Sequence, residues 1–107
     1  MERLCLVYVT ASCREEAIKI GKKMVSQKLA ACANVFDNVF SFYRWEGKEQ
    51  EDSEAVLIMK TRETLLDRLE KAVKEIHGYS CPCILAVPVI HANDEYAAWI
   101  ERETEGT

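Results

Sequence analysis

The segment from His77 to Cys83, with the sequence HGYSCPC, holds the side chains of this chain that are best suited to metal chemistry. Thiolate and imidazole groups are the donors that copper and zinc favour. Pro82 pushes the residue before it toward extended backbone, and in an extended chain Cys81 and Cys83 point to the same side. With His77 just upstream, the spacing predicts a soft-metal site that includes His77 and Cys83.

Other interpretations of this segment stay open from the sequence. Cys81 and Cys83 could form a redox pair, but two residues of an extended chain separate their Cα atoms by roughly 6.6 Å, near the upper limit for a disulfide. The cysteines could instead be small packing residues, because free cysteine is among the most buried residue types. His77 could cap the free carbonyls at a helix end. A structural zinc site also needs four ligands in a recognisable pattern, which this segment alone does not supply.

Length, composition and charge restrict the class of protein. The chain of 107 residues fits one domain, residues 1–107, and is 49% hydrophobic, which is enough to form a core. The net charge of −4 argues against nucleic acid as a partner, because such binding depends on clustered Lys and Arg. We recognise no signal peptide and no apolar run long enough to span a membrane. We therefore expect a cytoplasmic protein with no membrane partner and, since five cysteines is an odd number, at least one unpaired thiol.

The hydrophobic pattern predicts a strand and then a helix at the start of the chain. Leu4–Val9 is a continuous apolar run, typical of a strand that is buried on both faces. The helix that follows is predicted from Cys13 to Lys28, because its apolar residues recur at the helical spacing. Ser12 and Glu15 are predicted to form its capping box.

The middle of the chain, residues 33–60, predicts one long hairpin. Glu46-Gly47 is suited to the tight turn, and Asp37-Asn38 to a bend or bulge in the first arm.

Large apolar side chains occupy both faces of that first arm, and one small core cannot cover two such faces. We therefore predict that a partner subunit covers one of them. Tyr43 and Trp45 are assigned to the interface between subunits, because aromatic residues are enriched at such surfaces.

The rest of the chain predicts a helix, a strand and a shorter helix. Thr61 is the predicted N-cap of the second helix, and Gly78 lies just past its end. The last strand is predicted over Ile84–Ile90, with Pro88 restricting part of it to an edge or a bulge. Asn93 then caps a C-terminal helix. The order β-α-β-β-α-β with an extra helix predicts an α+β ferredoxin-like sandwich.

Several short motifs, found in order along nearly the whole chain, resemble those of the CutA1 family of divalent-cation tolerance proteins. They are Lys28-Leu29-Ala30-Ala31-Cys32-Ala33-Asn34, Tyr43-Arg44-Trp45-Glu46-Gly47-Lys48, Lys60-Thr61-Arg62, and His77-Gly78-Tyr79 followed by Pro82. The resemblance implies a homotrimer of ferredoxin-like subunits whose long hairpins build sheets between subunits. It also implies a role in handling divalent metal ions, copper above all, a distant likeness to trimeric PII signalling proteins, and no settled enzymatic activity.

The resemblance adds Cys32 to His77 and Cys83 as a candidate metal ligand, because Cys32 and His77 stand at family positions. The family commonly has glutamate where this chain has Cys83, and a thiol would make the site softer. The usual His-Pro-Tyr of the family is replaced by His77-Gly78-Tyr79.

We therefore predict a non-enzymatic homotrimer that binds copper or another divalent metal ion, such as zinc, or responds to it, and that uses no organic cofactor. One alternative is a PII-like sensor of a small anionic ligand, held in a cleft between subunits by Lys60, Thr61 and Tyr79 together with His77. A purely structural or scaffolding trimer is the other alternative. We find no Ser-His-Asp arrangement, phosphate loop or paired-carboxylate motif that would favour an enzyme.

Overall fold

The computed structural model describes residues 2–104, and its elements follow the predicted order. Within residues 2–104, no helix is long and apolar enough to cross a membrane. The elements are β1 Leu4–Ala11, α1 Arg14–Ser26, β2 Cys32–Trp45, β3 Lys48–Arg62, a 3₁₀ turn at Glu63–Leu65, α2 Leu66–Ile76, β4 Ile84–Pro88 and α3 Asp94–Glu103.

The strands form an antiparallel sheet in the order β2-β3-β1-β4, with α1 and α2 packed on one of its faces. Residues of β1 and β3 that point to this face, such as Val7, Val9, Leu57 and Met59, are buried in the main core. They pack there because successive strand residues point to opposite faces and the helices cover this one. The ferredoxin-like arrangement predicted from the sequence is confirmed.

Among the described residues, the opposite face of the sheet is covered only at one end, where α3 packs on Leu4 and Ala31 through Ala97 and Ile100. Beyond α3, the apolar side chains that we call the uncovered face remain in contact with solvent. They are Leu6, Tyr8, Leu85 and Val87, with exposed fractions of 36%, 37%, 60% and 52%.

The prediction that Leu4–Val9 is buried on both faces is therefore wrong for a single chain. Val7 and Val9 are buried and Leu6 and Tyr8 are not, because no element of the described chain covers the middle of the second face.

The predicted hairpin is formed by β2 and β3 and extends beyond the helices. Glu46 and Gly47 make its turn with φ values of 50° and 79°, the conformation that a two-residue hairpin turn favours. The register shifts between Phe36 and Val39, and Asn38 adopts a φ of 57°, which confirms the predicted bulge.

Two of the predicted helix caps are wrong. Helix α1 begins one residue later than the capping box requires, so Glu16 rather than Glu15 accepts the hydrogen bonds of the Ser12 amide and hydroxyl. Thr61 lies inside β3, is fully buried, and donates its hydroxyl to the Leu29 carbonyl at 2.7 Å. Asn93 caps α3 as predicted, since its side chain accepts from the Tyr96 amide at 2.8 Å.

Arg62, at the end of β3, ties both ends of the described chain to the sheet. Its guanidinium donates to the Thr104 carbonyl at 2.7 Å and to the Glu2 carboxylate at 3.2 Å. The second carboxylate oxygen of Glu2 accepts from the amide and hydroxyl of Thr64. Burial opposes ionisation of Glu2, but the hydrogen bonds from Thr64 and Arg62 outweigh it and lower the pKa of Glu2.

We expect Thr61→Val to lower the free energy of unfolding by about 1–3 kcal/mol, because the buried Leu29 carbonyl loses its hydroxyl donor. Thr61→Ser is the matched variant. It keeps the hydroxyl and should lower the free energy of unfolding mainly by the contribution of one buried methyl group. Urea unfolding of the three proteins measures the difference. A Thr61→Val protein as stable as wild type would contradict this role.

The lowered pKa of Glu2 predicts a pH-dependent contribution to stability. A carboxyl group with a depressed pKa stabilises the folded state above its ordinary value of 4.5 and loses that contribution as the pH falls through the depressed pKa. Glu2→Gln should therefore destabilise by about 1–2 kcal/mol at pH 7, and the gap should close in acid. Thermal unfolding measured from pH 7 down into acid tests this prediction, and Glu75→Gln, at an exposed site, is the control. A gap that is independent of pH would rule out the ionic contribution.

Candidate functional site

His77 lies at the end of α2 beside the end of β1, and both of its ring nitrogens are hydrogen-bonded to backbone. Nε2 lies 2.7 Å from the Thr10 carbonyl oxygen. A carbonyl oxygen can only accept, so Nε2 carries the ring proton and donates. Nδ1 accepts from the Tyr79 amide at 3.0 Å and must therefore be unprotonated. These contacts fix the neutral Nε2-H tautomer.

The chain turns away from α2 at His77 and Gly78 without the left-handed glycine typical of helix ends. His77 is extended, with φ −81° and ψ 140°, and Gly78 donates its amide to Glu16 at 2.8 Å. A Cβ on Gly78 would lie 2.8 Å from that carboxylate, so glycine permits the close approach. Burial opposes ionisation of Glu16, but the amides of Ser12 and Gly78 outweigh it and lower its pKa.

Cys83 lies next to Thr10, the residue that His77 also contacts. Burial raises the pKa of the Cys83 thiol, and hydrogen bonds from the Thr10 amide and hydroxyl only partly offset this effect. A thiol with a raised pKa stays protonated at neutral pH, so a metal ion would have to displace its proton. Cys81 is exposed, and both cysteines are free rather than joined in a disulfide.

Cys32 lies at the other end of the sheet, at the start of β2. It is paired with Lys60 of β3, whereas Thr10 is paired with Val56. Lys60 and Val56 are four residues apart on β3, which corresponds to about 13 Å along the strand. In one chain, His77 and Cys83 therefore both contact Thr10, and Cys32 lies apart from them. Within residues 2–104, no group of three His, Cys, Asp or Glu side chains is placed to hold one metal ion.

The residues predicted to form an anion cleft have separate partners in one chain. Lys60 donates to the Tyr96 hydroxyl at 3.0 Å, and this bond raises the pKa of Lys60 against the effect of burial. Thr61 points to the opposite face of β3, as successive strand residues must. Tyr79 donates its hydroxyl to Glu54 at 2.7 Å, and burial together with that carboxylate raises the pKa of Tyr79.

The aromatic residues of the hairpin divide between its two faces, as the sequence predicts. Phe40 and Phe42 pack on each other on one face, with ring centroids 5.6 Å apart. Tyr43 and Trp45 lie on the other, where Tyr43 donates to Asp52. Both rings are partly exposed, at 43% and 47%, and their place at a subunit interface stays a prediction.

Sequence reasoning missed the groups that organise this end of the sheet, namely Thr10, Glu16 and Glu54. Thr10 acts through its backbone, which no sequence pattern reports. Glu16 meets Gly78 across 62 residues of sequence, and Glu54 meets Tyr79 across 25. The signal that was available for Glu16 was its place near the start of a helix, where carboxylates commonly accept backbone amides.

Comparisons with known proteins identify the family of the chain. The sequence model of the family described as CutA1 divalent ion tolerance protein matches residues 5–103. The chain is 42% identical over 92% of its length to the chloroplastic protein CutA of Arabidopsis thaliana, and spans 54% of the length of that protein.

Solved structures agree with this match. The crystal structure of CutA1 from Oryza sativa superposes with a TM-score of 0.94 at 40% identity, covering 99% of this chain and 97% of that one. The structure described as the periplasmic divalent cation tolerance protein CutA from Archaeoglobus fulgidus superposes with a TM-score of 0.92 at 38% identity, covering 95% and 99%. The resemblance seen in the sequence motifs is confirmed, and this chain belongs to the CutA1 divalent ion tolerance protein family.

Proposed function

We propose that this protein contributes to divalent-cation tolerance as a homotrimer that binds copper, zinc or a similar metal ion. The observation that carries the proposal is that Cys32 and Cys83 lie on the same side of the sheet as the uncovered face. Cys32 is paired with Lys60, which is in turn paired with Leu6. Cys83 precedes Leu85 by two residues and contacts the Thr10 side chain, which places it on that side as well.

Self-association is supported by the apolar surface that one chain leaves in water. The uncovered face is continued on β2 by Phe36, which is also exposed. Strands β2 and β4 are both edges of the sheet and so have backbone groups free to pair with another chain. Contiguous apolar surface and open edges together are typical of an interface. The number three rests on the resemblance to the family.

The proposed metal site takes donors from more than one subunit. Cys32 and Cys83 lie too far apart to share an ion within one chain. When copies associate through the face that carries both thiols, Cys83 of one subunit can approach Cys32 of another. Thiolates favour copper and zinc over hard cations.

We propose that the protein acts without catalysis of its own. The arrangement most open to a catalytic interpretation is Cys83 and His77, which both contact Thr10. A nucleophilic cysteine needs a lowered pKa and a free base, whereas burial raises the pKa of Cys83 and both nitrogens of His77 are bonded to backbone.

We place the protein in the cytoplasm, because all five cysteines are free, as a reducing compartment would keep them. The alternative of an anion sensor has less support, since Lys60 and Thr61 lie on opposite faces of β3 and Tyr79 is bonded to Glu54.

We expect the protein to elute as a particle of three times its 12.2 kDa mass, measured by size-exclusion chromatography with light scattering. Leu85→Glu should shift it toward the monomer, because a buried carboxylate in an apolar interface is strongly unfavourable. Gln27→Glu adds the same charge at an exposed site after α1 and should leave the mass unchanged. A monomeric wild type at micromolar concentration would exclude the trimer.

Replacing a thiol of the proposed site should weaken metal binding. Cys83→Ser and Cys32→Ser are each expected to reduce zinc affinity at least about tenfold, since even changes outside the ligand sphere often cost that much. Cys13→Ser, at the exposed thiol before α1, is the control. Calorimetric titration with zinc in oxygen-free buffer measures it. Equal affinities in all four proteins would remove the thiols from the site.

A further inference from the structure

We infer that His77 is a positioning residue that holds the loop between α2 and β4 in place, and that it is not a metal ligand in the folded subunit. The loop comprises residues 77–83, and we call its anchoring contacts the latch. These contacts are the two ring bonds of His77 and the bonds of Gly78 and Tyr79 to neighbouring elements. The inference concerns the metal-free chain and stands whether or not the proposed function is correct.

The first contact of the latch fixes the loop to the end of β1. Nε2 of His77 donates to the Thr10 carbonyl at 2.7 Å, and Cys83 lies against the amide and hydroxyl of the same residue. Thr10 is thus held from both ends of the loop. Cys83 directly precedes β4 in the chain, so these contacts join both ends of the loop to β1.

The second contact shapes the loop itself. Nδ1 of His77 accepts the amide of Tyr79, two residues further on, at 3.0 Å. The two rings lie against each other, with centroids 4.9 Å apart. A side-chain acceptor that takes the amide two residues ahead stabilises a tight turn, as asparagine and aspartate do elsewhere.

The remaining contacts tie the loop to α1 and to the hairpin. Glu16 accepts the Gly78 amide at 2.8 Å, and the Tyr79 hydroxyl donates to Glu54 of β3 at 2.7 Å. A single short loop therefore connects the start of α1, the end of β1 and the base of the hairpin.

The lone pair of Nδ1 decides between a positioning role and a ligand role. A histidine that binds metal through one nitrogen commonly donates its other N-H to a carbonyl, and the bond from Nε2 to Thr10 fits that pattern. The pattern is incomplete here, because Nδ1 already accepts from Tyr79. A metal ion at Nδ1 would have to take the place of the Tyr79 amide and break the turn.

The histidine ring can be replaced by side chains that keep one contact at a time. His77→Asn retains an acceptor near the position of Nδ1, His77→Gln retains a donor near the position of Nε2, and His77→Ala retains neither. His91→Asn, at the other and exposed histidine, is the matched control.

Hydrogen exchange and thiol labelling of the metal-free proteins test the latch directly. The Tyr79 amide should be protected in wild type and in His77→Asn, and should lose protection in His77→Gln and His77→Ala. Alkylation of Cys83, measured relative to exposed Cys13 by peptide mass spectrometry, should be at least about fivefold faster in His77→Ala, since loss of the bond to Thr10 alone corresponds to about that factor. Protection and labelling that equal wild type in all three variants would overturn the latch.

Nitrogen NMR of the imidazole tests the ligand role in the same samples. The metal-free spectrum should report the neutral Nε2-H tautomer, and zinc added to saturation should leave the Nδ1 resonance of His77 in place. A metal-induced shift of Nδ1 would overturn the positioning role. An unchanged Nδ1 with normal zinc binding supports both the latch and a thiol site, and an unchanged Nδ1 without zinc binding supports the latch and counts against the proposed function.

Discussion

A sheet has two faces, and within residues 2–104 the helices cover one face and one end of the other. Alternation along β1 and β4 then leaves Leu6, Tyr8, Leu85 and Val87 in contact with water. Burial of apolar surface stabilises by about 25 cal/mol per Å², so such a face favours association. The hairpin and the loop before β4 both border this surface.

Polar contacts hold the periphery of that surface in a fixed arrangement. Arg62 binds Glu2 and Thr104, and thereby joins the ends of the described chain to β3. Two further contacts join the loop after α2 to other elements. Glu16 of α1 accepts the Gly78 amide, and Tyr79 donates to Glu54 of β3. Each contact joins residues far apart in sequence, so the sheet is framed by bonds that form only once the strands are in register. Groups already ordered by such contacts in one chain would lower the ordering cost of the proposed association, since fewer of them would have to be immobilised.

The local pattern of the sequence was sufficient to predict the order of elements, the tight turn at Gly47 and the bulge at Asn38, because each depends on neighbouring residues. The cap predicted at Thr61 failed for the opposite reason. A strand position and a cap position both suit threonine, and only the register of β3 decides that Thr61 meets Leu29. For the candidate site, residue types indicated that His77 and Cys83 belong together, but the partners of the His77 ring are backbone groups that no side-chain pattern reveals.

The cysteines can be interpreted as packing residues or as metal ligands, and both interpretations depend on where the thiols lie. Burial already raises the pKa of Cys83 in one chain, and covering this side of the sheet would remove more water from the thiol. A neutral thiol tolerates that burial as a small apolar group. A thiolate would not, unless a metal cation replaced its proton and compensated its charge. An interface that closes over Cys32 and Cys83 can thus hold them either as protonated packing residues or as metal-bound thiolates. Under the proposed function, metal affinity and subunit association at this surface depend on each other, because the metal compensates the charge of thiolates that association would bury.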